Sequence, residues 1–341
     1  MSYKFQSLQT ILNAFEGGLT LGATEIAEIT GKSTVIVHKY LKELVIQKRL
    51  IKVGIGPRVK YTPPFLVEQN EQIPETPTVL SSNIFGYYEK ELLVKIFFKF
   101  SPEGKILSGF DGIQKWCLAR GLDTEQKITS YIDIYKHIEG LRNDCGLIDA
   151  KESFGHDFHE VFLDTVYYAD QYKWMDFGRG RLAEMTFYAK LSQNKKLLSE
   201  SIDEVIHKID CLVSKEKYDA IAIVPWSIDR KNQLLKILKH RLKSLNIPFV
   251  NIIKYSSTGI LMPQKTLKTR EQRIQNAKNT IFVDDTYIQK YASVLLIDDF
   301  VGSGSTLNET ARKLKEVGIK RVDGFAFVGN LNLTYEVINE I

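Results

Sequence analysis

Residues 294–307 read VLLIDDFVGSGSTL, and the reading of the fold starts from them. Four apolar residues, Val294 to Ile297, run into two acids, Asp298 and Asp299. A short apolar run of this kind reads as a strand buried on both faces of a parallel sheet. From Thr306 the sequence TLNETARKLKEVG keeps apolar positions near a 3.6-residue period and ends at Gly318, the pattern of a helix. The acids therefore stand at the C-terminal end of a strand, and Gly302-Ser303-Gly304-Ser305-Thr306 turns the chain into the helix. Ligands of open α/β sheets bind in the crevice at that end of the strands. A helix N-terminus offers unsatisfied N–H groups and partial positive charge to a phosphate. The glycines let the backbone approach its oxygens, and the hydroxyls of Ser303, Ser305 and Thr306 add donors. Two carboxylates repel a phosphate, but they accept from hydroxyls and suit a divalent cation. A sugar phosphate with vicinal hydroxyls meets both demands.

The whole stretch resembles the signature of the type I phosphoribosyltransferases, which bind phosphoribosyl pyrophosphate (PRPP). The resemblance implies that Asp298 and Asp299 meet the ribose hydroxyls, and that Gly302, Ser303, Gly304, Ser305 and Thr306 wrap the 5′-phosphate. It extends upstream. MDFGRGRLAEMTFYAKLSQNKKLLSE is similar to the lead-in helix of the ComF-like branch of that family, and YDAIAIVPWSIDRKNQLLKILKHRL reads as strand, turn and basic helix. In the family that turn holds pyrophosphate, and here Pro225, Trp226, Ser227, Arg230 and Lys231 occupy it. LMPQKTLKTREQRIQNAKNTIFV resembles the hood segment, with Lys268, Arg270, Arg273 and Asn276 at the matching positions. The resemblance makes Lys268 and Arg270 catalytic partners of the acid pair, because cations that close over a leaving pyrophosphate stabilise its developing charge. It also implies Mg²⁺, carried by PRPP near Asp298 and Asp299. The cysteine-rich zinc ribbon common in ComF-like proteins is missing, and about ten residues follow RVDGFAFVGNL, so a C-terminal hood that selects a nucleobase is expected to be absent or short.

Charge separates a second module. The chain is +5 overall, and residues 1–64 hold nine Lys/Arg against four Asp/Glu, 9 − 4 = +5, so the remainder sums to zero. A local basic excess of this kind marks a nucleic-acid footprint. LQTILNAFE reads as a first helix, GATEIAEITG as a short second one, and STVIVHKYLKELVIQKR as a third capped by Ser33 and Thr34. LIKVGIGPRVKYTP reads as two strands around an IGPR turn. The order resembles a winged helix-turn-helix, which sends its second motif helix into the DNA major groove. Ser33, Thr34, Val37, His38, Lys39 and Lys42 are then expected at the DNA, with Arg58 and Lys60 in the wing on phosphates.

Residues 65–83, with their prolines and glutamates, read as a linker, and residues 84–163 as a helical region without site chemistry in which Phe97, Phe98 and Phe100 form core. FGHDFHE, with His156, Asp157, His159 and Glu160, lacks the spacing of a zinc helix. Cys117, Cys145 and Cys211 are too few and too scattered for a disulfide framework, and read as buried thiols of a cytoplasmic protein. No apolar run approaches the roughly 20 residues of a membrane span.

The expected architecture is α/β. A parallel, doubly wound phosphoribosyltransferase-type sheet fills residues 164–341, with strands near 219–224, 248–253, 279–283, 293–298 and 321–328. A winged helix-turn-helix and a helical middle region precede it. The expected activity is transfer of phosphoribose from PRPP to an acceptor that the sequence does not name. The expected partners are PRPP, double-stranded DNA and further copies of the chain, in a homodimer or larger assembly. Two alternatives stay open: a transcription regulator that senses PRPP without catalysis, and a phage-defence effector acting on nucleotides or nucleic acid.

Overall fold

The computed structural model describes residues 3–15, 20–47, 49–53, 59–62, 85–155, 158–284, 286 and 290–331. The chain forms two compact units, Met1–Ser82 and Asn83–Ile341.

In the first unit three helices, α1 (Tyr3–Asn13), α2 (Ala23–Thr30) and α3 (Thr34–Ile46), pack beside a small antiparallel sheet. The sheet order is β1 (Leu21–Gly22), β3 (Lys60–Thr62), β2 (Ile51–Val53). Gly31 ends α2 in the left-handed region at φ 63°, which glycine adopts without a Cβ penalty. Ser33 then starts α3 by accepting from the Ile36 N–H. The core takes Ile26 from α2 and Val37, Tyr40, Leu41 and Leu44 from α3. The helix phase thus turns Val37 fully inward, so it is a core residue and not one that reaches for bases. The IGPR turn lies outside the described residues, and Arg58 with it.

The second unit is built on a six-stranded sheet of order β6-β7-β13-β12-β8-β9. Its strands are β6 (Ile148–Asp149), β7 (Thr165–Gln171), β8 (Ala220–Ile223), β9 (Phe249–Val250), β12 (Ser293–Val301) and β13 (Arg321–Gly329). Five run parallel and β6 pairs antiparallel with β7, so the sheet is mostly parallel. The expected strand near 248–253 divides into β9 and β10 (Ile252–Lys254), and β10 leaves the main sheet to form a two-stranded ribbon with β11 (Ile281–Val283). β7 was not expected, although YYADQ continues an apolar, β-branched start.

Successive residues of each strand feed opposite faces, and the two faces hold separate cores. Leu295, Ile297, Phe325 and Phe327 pack on one side with Leu198, Ile202 and Leu238. Val294, Leu296, Val322 and Ala326 pack on the other with Leu307, Ala311 and Leu314. Two helices dominate the first face, α8 (Arg181–Ser192) and α9 (Lys195–Glu216), with α10 (Leu234–Leu242) beside them, while α12 (Ser305–Glu316) covers the second. For that numbering, α4 to α7 are Tyr87–Ile96, Gly109–Leu118, Thr124–Gly140 and Lys151–Gly155, and α11 is Arg270–Thr280.

The middle region is not all helix. α4 stops at Ile96, and Phe98–Phe100 pairs with Ile106–Ser108 as a hairpin, β4–β5. The alternation Phe-Lys-Phe outweighs a helical period there. Phe97 and Phe98 are buried, in two different cores. The region is also tied to the sheet: Arg142 donates to the Ala169 carbonyl at 2.5 Å and to Asp170 at 3.1 Å. Cys145 and Cys211, expected as free thiols, form a disulfide across a separation of 66 residues, while Cys117 is a buried free thiol. Sequence distance hid this pair, because the fold lays the turn after α6 against α9. Among the described residues no helix is long and apolar enough to cross a membrane.

Truncating Phe327, fully buried at the centre of one face, removes a large core side chain. Phe327→Ala should cost about 3–5 kcal/mol, read as a lowered denaturant midpoint.

Candidate active site

The C-terminal ends of β8 and β12 are neighbours in the sheet, so the loops that follow them face each other. Between them lies a cleft of about 220 Å³. One wall is the β12 end, with Asp298, Asp299 and Phe300, and the turn through Gly302, Ser303, Gly304 and Thr306. The opposite wall is the loop after β8, with Pro225, Trp226, Ser227 and Arg230. The segment before α11 and the first turn of that helix supply the roof, with Gln264 and Lys265 from the segment and Arg273 from the helix.

The turn residues have local reasons. Gly304 sits at φ 72° as the N-cap of α12, and a Cβ there would stand 2.6 Å from the Phe154 ring. Only glycine satisfies both conditions, and it supplies no side-chain cap, so beyond the Ser305 N–H, which lies 3.5 Å from Ser303 Oγ, the first N–H groups of α12 stay available to a ligand. Ser305 is buried beneath the turn, its hydroxyl 3.1 Å from that of Ser303. The facing loop is anchored from behind. Asn232 bonds both the side chain and the carbonyl of Gln193, and Gln233 donates to the Ile228 carbonyl.

Two lysines outside the motif control the electrostatics. Lys190, on α8, donates to Asp299 Oδ1 at 2.9 Å, with both side chains largely buried. Lys254, on β10, donates to Ser227 Oγ at 2.6 Å. Burial pushes Lys254 down to about 8, against the opposing attraction of Asp298. Asp298 moves the other way. Burial first, and then the adjacent Asp299 charge, raise it to about 7, although the Asp299 N–H and the two lysines favour the carboxylate. The pair is therefore unequal, with one acid locked to a lysine and the other reluctant to ionise.

Residues 231–339 match the family model of the phosphoribosyl transferase domain. No curated protein matches the chain. The phosphoribosyl transferase match takes in α10, the β10–β11 ribbon, the acid pair and α12. It leaves out Lys190 and the Pro225–Arg230 loop, which complete the cleft from upstream.

The structure brings most of the expected residues to this cleft, but not Lys268 and Arg270. Those two line a separate depression of about 560 Å³ with Phe158 and His159, and Arg270 lies 5.1 Å over the Phe158 ring. The cause is local. Thr269 and Gln272 form a capping box that starts α11 at Arg270, and the inward row of that helix is Arg273, Ala277 and Thr280. Arg273 therefore reaches the cleft, held by its Nε bond to the Leu267 carbonyl. Asn276 ties the segment together through the Met262 carbonyl, and Lys231 is exposed outside the cleft. Among the described residues no group of three His, Cys, Asp or Glu is placed to hold a metal, and His156 and Asp157 lie outside them.

In the first unit Thr34, His38, Lys39 and Lys42 form an exposed face of α3, and Lys60 stands 3.8 Å from Glu25. Val35, whose type suggests core, is 78 % exposed on the same face.

The raised Asp298 makes stability depend on pH. An acid that binds its proton more tightly when folded favours the fold at low pH, and that advantage is lost as pH climbs from about 4, the unfolded value, to about 7. Asp298→Asn keeps an acceptor for the Asp299 N–H but carries no charge. The variant should melt above the wild type at pH 8, and this difference should vanish at pH 4.

Proposed function

We propose that the second unit binds PRPP in this cleft and transfers its phosphoribosyl group to an acceptor. The observation that carries the reading is the pairing of Asp298 and Asp299 with an uncapped helix N-terminus in one cleft. The acids accept from the two ribose hydroxyls, and the turn 302–306 donates N–H and hydroxyl groups to the 5′-phosphate. The facing loop, Pro225 to Arg230, receives the pyrophosphate. As the C1–O bond breaks, pyrophosphate leaves with the electron pair, and the acceptor's lone pair closes on C1. Cations held near the leaving oxygens act more strongly on that transition state than on bound PRPP. Lys265 and Arg273 fill this role in the cleft, in place of Lys268 and Arg270.

The donors suit Mg²⁺ in one form only. Magnesium is bound by one or two carboxylates with substrate phosphates and retains several waters. Asp298 and Asp299 offer hard oxygens, but Asp299 already holds Lys190. These residues fit an ion delivered with the diphosphate, where it would neutralise leaving-group charge.

The first unit supports a second element of the reading, a winged helix-turn-helix that binds duplex DNA. Its basic excess and the exposed Lys39 and Lys42 on α3 favour it. Coupled to a PRPP site, this module also suits a regulator that senses PRPP, and turnover separates the two.

Lys265→Ala should slow pyrophosphate release on the order of 10²-fold while PRPP binding changes much less, and Lys268→Ala should leave the rate near wild type. Pyrophosphate is followed with Mg²⁺, PRPP and a panel of bases, nucleotides and nucleic acids. Tight PRPP binding with no turnover on any acceptor would move the reading to the sensor.

For the first unit, the full chain should bind duplex DNA with a log–log salt slope near −3, from about three neutralised phosphates. Lys39→Ala should shallow the slope by about one. An anisotropy titration without duplex binding at low salt would remove the DNA reading.

A further inference from the structure

The body of the chain is neutral in sum but not in distribution. Residues 230–283 hold twelve Lys/Arg and one acid, Glu271, so 12 − 1 = +11. Residues 65–341 total zero, which leaves −11 for the rest of that stretch. A diphosphate in the cleft meets only part of this excess. Arg230, Lys265 and Arg273 line the cleft and Lys254 holds Ser227, while Lys231, Lys236, Lys243, Lys268 and Lys278 are exposed elsewhere on the segment.

The same segment also exposes rings. In the β10–β11 ribbon, Ile253 stands opposite Phe282. Ile253, Tyr255 and Phe282 are 49 %, 60 % and 41 % exposed. The Tyr255 and Phe282 rings are 6.5 Å apart, and Lys313 of α12 lies 5.5 Å over the Phe282 ring. The other face of the ribbon is committed, with Ile281 fully buried and Lys254 bonded to Ser227. That bond joins the residue before Tyr255 to the residue after Trp226, a third exposed ring, at the cleft mouth.

We propose that the outer face of the β10–β11 ribbon binds single-stranded nucleic acid, with Tyr255 and Phe282 stacking on bases and Lys313 and its basic surroundings following the phosphates. Exposed rings set in positive charge are what unpaired bases and their backbone require. A duplex hides its base faces from such rings. A second copy of the chain fits less well, because a two-fold contact sets the same patch against itself and brings like charges together. This binding needs neither PRPP nor turnover, so it stands or falls apart from the transferase reading.

The test is anisotropy of a fluorescein-labelled oligothymidylate with the full-length protein. Tyr255→Ala with Phe282→Ala should weaken binding about tenfold or more. Lys313→Ala, a milder change, should weaken it and shallow the salt slope by about one. Lys195→Ala with Lys196→Ala, exposed at the start of α9, should leave it within about twofold, and unlabelled duplex should compete poorly. Unchanged affinity in both ribbon variants would overturn the proposal, as would an equal loss of binding in the α9 variant or equal competition by duplex. Sedimentation in which the ring variant dissociates a wild-type dimer without altering oligonucleotide binding would assign the face to self-association instead.

Discussion

Two carboxylates on consecutive residues, at the buried end of a central strand, repel each other and resist losing water. The cleft exists because other parts of the chain manage that conflict. Lys190 reaches across 109 residues to hold Asp299, and Lys254 approaches Asp298 from the ribbon. Burial and the neighbouring charge leave Asp298 reluctant to ionise, with its acceptor capacity kept for a ligand. Each lysine comes from an element packed against the sheet, one from the face carrying α8 and one from the edge carrying β10. The sheet order decides whether the acids have partners at all.

The same order sets the division of labour. Because β8 and β12 are adjacent and parallel, the turn before α12 and the loop before α10 open towards each other. One offers an uncapped helix N-terminus beside the acids, and the other offers Arg230 and a serine already held by a buried lysine. Basic residues of the roof then face a site whose floor is acidic. A ligand that is hydroxylated at one place and multiply anionic at two others matches this pattern, and PRPP has that composition.

How much of this was legible follows from range. The acid pair, the small-residue turn and the strand before them are a contiguous signal, and they sit where the spacing puts them. The positions of β8, β12 and β13 could be read from apolar runs alone. Lys190 and Lys254 could not, because a single lysine on an amphipathic helix or at a strand end carries no pattern, and only tertiary packing brings it to an acid. Lys268 and Arg270 were placed by likeness to a basic segment. A four-residue capping box decided which basic side chain turned inwards, and Thr269 with Gln272 was the signal that could have shown it. Val37 was misplaced by one step of helix phase. The Cys145–Cys211 pair was invisible for the same reason as Lys190.

The central claim, that the acid pair reads ribose hydroxyls while the turn reads the 5′-phosphate, is tested most directly by comparing two small ligands. Calorimetry with ribose 5-phosphate and with 2-deoxyribose 5-phosphate isolates one hydroxyl. A hydrogen bond to a charged acceptor is worth about 1.5–3 kcal/mol, so the deoxy compound should bind at least tenfold more weakly, and PRPP should displace both. Equal binding of the two sugar phosphates, or PRPP that fails to displace them, would contradict the account.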